Sequence, residues 1–224
     1  NDLNRASVDE VVACGAKAAS NAEIGEQCDV VLTMVPNSPQ VKAVMLGEDG
    51  VAAYGVIMYV NLIFLGVFIG YSIGSAPVVS YHFGADNRAE LRGLLRRSLG
   101  ILAVMSVAMT VLAEALALPL ARIFVGYDAA LLEMTRHGFM LYSLSFLFAG
   151  GGIFGSAFFT ALNNGAVSAL ISFLRALVFQ MAAVLLLPRL MGLDGVWLAV
   201  VAAEALAVAV AAACFGAKRK TYGY

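Results

Sequence analysis

Long uncharged runs organise this chain. Between Asp49 and Asp86 there is no formal charge, and the stretch Gly55–Ser80 is almost wholly apolar. Four comparable runs follow: Leu99–Leu120, broken by Glu114; Gly138–Leu162; Ala166–Leu187, holding Arg175; and Gly195–Phe215, holding Glu204. Each approaches or exceeds the roughly 20 residues that a helix needs to cross a hydrocarbon layer of about 30 Å. Lipid offers no partner to an open strand edge, and the runs are too long for barrel strands, so the pattern predicts five transmembrane helices. The intervening segments are short, including the Asn163–Gly165 turn "NNG" and Pro188–Gly195 "PRLMGLDG". Short connections predict antiparallel neighbours in an all-α membrane helix bundle.

Residues 1–53 follow another pattern. "ASVDE" and "SNAE" place Ser7 with Glu10 and Ser20 with Glu23 at capping-box spacing. "DVVLTMVP" is a β-rich run, and Ser38 with Pro39 can start a helix. The expectation is a small, incomplete α/β fragment at 1–53 before a transmembrane domain at 54–224, with spans near 55–80, 99–120, 138–162, 166–187 and 195–215.

Composition sharpens this division. Apolar residues make up 61% and charged residues 13%, against about 45–50% and 25% in soluble domains. Residues 1–53 carry a net charge of −5 and residues 54–224 a net of +4. Arg88, Arg92, Arg96, Arg97, Lys218, Arg219 and Lys220 fall on one side of a five-span bundle, and Arg122, Arg136 and Arg189 on the other. That asymmetry places the 81–98 loop and the C-terminus in the cytoplasm, and residue 54 outside. The segment "RAELRGLLRRS", Arg88–Ser98, reads as an amphipathic lead into the second span that lies on anionic headgroups. It is too short and too poor in aromatics for nucleic-acid binding. Cys14, Cys28 and Cys214 have no metal spacing or evident pairing and read as buried small apolar residues.

Three charges sit inside spans, where each costs roughly 2.5–3.5 kcal/mol at a helix centre. Glu204 is the foremost candidate for holding a proton or a cation. Arg175 can pair with it or stand as part of a structural ion pair, and Glu114 is close enough to a helix end to reach water. The third span is rich in aromatics, with Tyr142 and Phe146 at i, i+4; such faces attract organic cations but also serve packing. Gly66, Gly70 and Gly74, and again Gly151 and Gly155, make small-residue ridges that let helices approach. "AGGGIFG" reads as a flexible point, and Pro77 predicts a kink or helix end.

"GVIMYVNLIFLGVFIGYSIGSAPVVSYHFGADNRAELRGLLRRSL", "GSAFFTALNNGAVSALISFLRALVFQMAAVLLLPRL" and "GVWLAVVAAEALAVAVAA" together resemble the last five helices of multidrug and toxic compound extrusion (MATE) transporters, over about residues 52–224. The resemblance implies half of a two-lobed transporter in the plasma membrane, which when complete exports organic cations or drugs in exchange for Na⁺ or H⁺. Glu204, Arg175, Glu114, Tyr142 and Phe146 are then the transport candidates, the bilayer and a missing N-terminal lobe the partners, and the chain alone is expected to be inactive and not an enzyme. Residues 1–53 resemble part of the NAD-binding domain of β-hydroxyacid dehydrogenases of the 3-hydroxyisobutyrate and tartronate semialdehyde reductase group. That resemblance rests on "NR" and "TMVPNSPQVKAVMLGEDGV", and implies that Asn4, Arg5, Met34, Val35, Pro36 and Asn37 are remnants of an NAD(P) site. The phosphate loop and catalytic Lys of that group have no counterpart here, so little cofactor binding is expected. The junction near "GVAAYGV" reads as a meeting of two unrelated coding pieces, by fusion, rearrangement or assembly error. Alternatives are a dehydrogenase fragment and a membrane remnant that transports nothing.

Overall fold

The computed structural model describes Val12 and residues 38–224, with side chains for Val12 and residues 53–224. The expected βα fragment and its cofactor residues, Asn4, Arg5, Met34, Val35, Pro36 and Asn37, lie outside the described residues. The chain divides into two compact units, Asn1–Ala52 and Ala53–Tyr224.

The second unit is a bundle of helices, with no strand among the described residues. Helix α1 runs Ser38–Gly84, of which Ala53–Gly84 belongs to this unit; α2 runs Arg88–Val125, α3 Ala129–Ser143, α4 Phe146–Ala161, α5 Gly165–Phe173, α6 Gln180–Met191 and α7 Leu193–Tyr222. A π-helical turn, Leu174–Phe179, joins α5 to α6 without a break. Four helical stretches are long and apolar enough to cross a membrane: Ala53–Gly84, Arg88–Val125, Gly165–Met191 and Leu193–Tyr222. The pair α3 and α4 makes a fifth if counted as one bent span.

The turns are built from residues suited to them. Asp86 and Asn163 take left-handed φ values of 52° and 58°, which short polar side chains tolerate. The next residues cap the following helices: the Asn87 carboxamide oxygen accepts from the Glu90 amide, and that of Asn164 from the Val167 amide, both at 3.2 Å. Asp128 caps α3 in the same way through the Ala130 and Leu131 amides at 2.8 and 3.0 Å. At the α6–α7 turn Gly192 has φ 60°, and a Cβ on Gly195 would collide with the Leu187 carbonyl.

One expected span is interrupted, and two further local features take definite form. The continuous helix over 138–162 is broken at Leu144–Ser145, where the two halves bend by 45°. Serine supplies the reason: Ser143 Oγ donates to the Met140 carbonyl at 2.8 Å, a local bond that competes with the helical ladder. The glycine-rich stretch is helical, and its neighbours fill the space a side chain would take. A Cβ at Gly150 would lie 2.8 Å from the Phe68 ring, at Gly151 3.0 Å from Val208, and at Gly155 2.9 Å from Ala211. Of the kink or helix end expected at Pro77, the helix end is excluded, since α1 continues through it to Gly84.

The two glycine ridges differ in the same respect. Gly151 and Gly155 bring α4 close to α7, whereas a Cβ at Gly66, Gly70 or Gly74 would meet none of the described residues within 4 Å. The ridge on α1 lies on a side that no described helix covers. The core sits on the opposite side of α1. Phe68 and Phe64 are buried, Phe64 stacks on Phe146 at 5.1 Å, and the Tyr71 hydroxyl donates to Ser98 at 3.0 Å.

Candidate functional site

The polar centre of the bundle is an ion pair between two spans. Glu204 lies on α7 beside a buried alanine stripe, Ala199, Ala203, Ala207 and Ala211, recurring every four residues. That stripe turns one side of α7 inward and carries Glu204 with it. Arg175 belongs to the π-helical turn. Its Nε donates to Oε1 and Oε2 of Glu204 at 3.0 and 2.8 Å, and its Nη2 lies 2.8 Å from Oε1. The guanidinium thus grips the carboxylate with two nitrogens. The side chains are only 24% and 11% exposed.

Two local features make room for this pair. A π turn inserts an extra residue into a helical repeat and changes which side chains face a neighbour; such turns recur at functional sites. Gly152 of α4 then leaves the arginine stem its path, since a Cβ there would come within 3.3 Å of Arg175 Cδ and 3.6 Å of Ala207 Cβ. Tyr142 is buried within electrostatic reach of Glu204, Arg175 and Tyr54. Tyr54 in turn stacks on Trp197 at 5.9 Å. Trp197 is fully buried, and its rings occupy the space that a side chain on Gly138 would need, 2.7 Å from the Cβ position.

The structure therefore pairs Glu204 with Arg175 and leaves Tyr142 buried within electrostatic range of both. Phe146 joins through Tyr142, edge-on at 6.2 Å, but it also stacks on Phe64 and is buried. The aromatics of the third span are mostly core: Phe139, Phe154, Phe158 and Phe159 are buried as well. Glu114 stays apart, on the exposed side of α2 with no ion pair among the described residues.

Sequence reasoning missed three features. Gly138 carries no signal of its own and Gly152 only that of its glycine run; their partners, Trp197 and Arg175, reveal what they do. Four hydroxyls also link α4 to α5: Ser156 Oγ lies 2.9 Å from Ser168 Oγ and 2.7 Å from Ser172 Oγ, and Thr160 Oγ1 lies 2.7 Å from Ser168 Oγ. Their four-residue spacing on each helix, 156 with 160 and 168 with 172, was the readable sign. Finally, His137 Nε2 meets Asp194 Oδ1 at 2.9 Å, joining α3 to the start of α7.

Known proteins resemble the two parts of the chain separately. The family model for MatE matches residues 40–186 of the 224. The model for the NAD binding domain of 6-phosphogluconate dehydrogenase matches residues 1–56. An L-threonate dehydrogenase of Cupriavidus necator is 54% identical over 39 residues, which are 17% of this chain and 13% of that protein. Among solved structures, the Vibrio cholerae MATE transporter VcmN in its bent form superimposes with a TM-score of 0.74 at 17% identity, over 82% of this chain and 43% of that one. A MOP superfamily transporter from Pyrococcus furiosus gives 0.75 at 18% identity, over 83% and 42%. An outward-facing multidrug resistance MATE family transporter gives 0.73 at 20%, over 81% and 42%. The likeness is one of fold, and the chain spans about two fifths of the length of these transporters.

Proposed function

Because this chain belongs to the MatE family, we propose that it supplies five membrane helices of an exporter for organic cations or drugs, driven by Na⁺ or H⁺ antiport, and that it is inactive without the remaining lobe. The family match carries this reading. Support for incompleteness is the 42–43% of each solved transporter that the chain covers. Support for a coupling role is the Glu204 carboxylate, held by Arg175 in the bundle interior. A buried carboxylate in a span is costly unless paired and is a functional candidate for that reason. Release from Arg175 would free it to take up a proton or cation. The basic end of the bundle faces the cytoplasm in this reading.

The match to the dehydrogenase family model and to the L-threonate dehydrogenase supports a second reading for residues 1–56 alone, as a piece of a cofactor domain. With the 39 matching residues making up 13% of the dehydrogenase, it adds no enzymatic activity in this reading.

The test is accumulation of a fluorescent organic cation. Cells producing this chain alone should accumulate as much as cells without it. Cells producing a complete reading frame that contains Gly55–Phe215 should accumulate less, and its Glu204→Gln form should restore accumulation. Efflux by the chain alone would overturn inactivity. Undiminished efflux in Glu204→Gln would remove the coupling role.

A further inference from the structure

Two basic segments far apart in sequence meet at one end of the bundle. Arg88, at the start of α2, donates through Nη1 to the Tyr222 carbonyl, and Arg92 Nη2 donates to the Gly223 carbonyl at 3.0 Å. Gly223 has φ 75°, and a Cβ there would press on Arg88 Cδ at 3.2 Å. Phe83 meets Tyr222 edge-on at 5.7 Å, and Asn164 Nδ2 donates to the Tyr222 hydroxyl at 2.8 Å. The α1–α2 turn, the α4–α5 turn and the end of α7 are thereby tied together. The tie gathers Arg88, Arg92, Arg96, Arg97, Lys218, Arg219 and Lys220.

Few acids answer these cations. Asp86 pairs with Arg88 at 2.6 Å and Glu90 with Arg97 at 3.9 Å. Among the described residues Arg92, Arg96, Lys218, Arg219 and Lys220 have no carboxylate partner. The other end is balanced in net charge, with Arg122, Arg136 and Arg189 set against Asp128, Glu133 and Asp194. Arg136 pairs with Glu133 at 3.4 Å, His137 with Asp194 at 2.9 Å, and Asp128 caps α3. Exposed Tyr81 stands beside the basic end, at the interfacial level where Tyr is enriched.

We propose that the α2 start and the α7 end together form a docking surface for anionic phospholipid headgroups. The charge excess at this end, assembled from two distant segments, selects a headgroup of net negative charge over a zwitterionic one, whose phosphate is offset by its own ammonium. Basic residues near an anionic bilayer surface act in this way, each contributing roughly fivefold in binding. Lipid docking of this kind is independent of export.

The full chain is purified with equal amounts of phosphatidylglycerol and phosphatidylcholine, and bound lipid is counted by native mass spectrometry. Phosphatidylglycerol should exceed phosphatidylcholine by about tenfold or more. The combined variant Arg96→Gln, Lys218→Gln, Arg219→Gln, Lys220→Gln should bring the two lipids close to parity. Arg122→Gln with Arg189→Gln, at the balanced end, should leave the excess intact. If the fourfold variant does not fold, the Lys218→Gln, Arg219→Gln, Lys220→Gln form, which leaves α2 untouched, should still cut the excess severalfold. Equal retention of both lipids by the unaltered chain, or loss of the excess only in the Arg122/Arg189 variant, would overturn the proposal.

Discussion

At the residue scale, the Arg175–Glu204 pair shows how a charge survives inside an apolar bundle. Neither side chain could be left alone there, because an uncompensated charge in a low-dielectric interior is far costlier than a paired one. Arg175→Met should therefore destabilise the bundle by about 3–5 kcal/mol, and Glu204→Met by a similar amount. The double variant should recover most of that loss, as apolar replacement of a whole buried pair is often neutral. Unfolding in mixed micelles, run as a double-mutant cycle, measures the coupling; additive losses would mean the two side chains do not act as a pair. Both charges were conspicuous in the sequence because each interrupts an uncharged run. Their contact was legible only as an option, and the site's other half was not legible at all. Gly152 and Gly138 matter for what they lack, and a missing side chain shows its purpose only when Arg175 or Trp197 is seen in the vacated space.

At the scale of elements, the helices follow the apolar runs, but their ends and breaks follow polar detail. Helix α2 extends back to Arg88 because Asn87 caps it, so the basic segment and the second span are one helix. The third span breaks at Leu144–Ser145, next to a Ser143 hydroxyl that competes for a backbone carbonyl, and stays helical at its glycines, where packing closes the gaps. The α4–α5 contact rests on Ser156, Thr160, Ser168 and Ser172. Interhelical hydrogen bonds of this kind in membranes average about 0.6 kcal/mol. Ser156→Ala, which touches two partner hydroxyls, should cost about 1 kcal/mol, and adding Ser168→Ala should cost less than the sum of the single changes, because the two share a bond. Thermal unfolding in detergent reads both; strict additivity would mean the hydroxyls do not form a network.

At the scale of the molecule, the bundle has two unlike ends. The α1–α2 turn and the end of α7 share an end, and the α2–α3 turn lies at the other. In a cysteine-free background, Ala85→Cys and Thr221→Cys should react with a membrane-impermeant maleimide from the same side, and Tyr127→Cys from the opposite side. With the basic end in the cytoplasm, only Tyr127→Cys should react in intact cells. Labelling of Ala85→Cys and Tyr127→Cys from the same side would refute the odd number of spans between their loops. The Gly66, Gly70 and Gly74 ridge remains open among the described residues, while the similar ridge at Gly151 and Gly155 is closed by α7.

The sequence alone determined that residues beyond about 54 form apolar helices of membrane length and that their positive charge lies mostly on one side. Both follow from composition read in order, because hydrocarbon accepts only helices or closed barrels and charge sorts by its cost in lipid. It also carried the likeness to two families at the two ends of the chain. Only the tertiary structure decided which glycine ridge is packed, that Arg175 turns onto Glu204 through a π-helical turn, and that the cations of α2 and α7 converge. Those outcomes depend on which faces of distant helices meet, and a one-dimensional pattern specifies a face but not its neighbour.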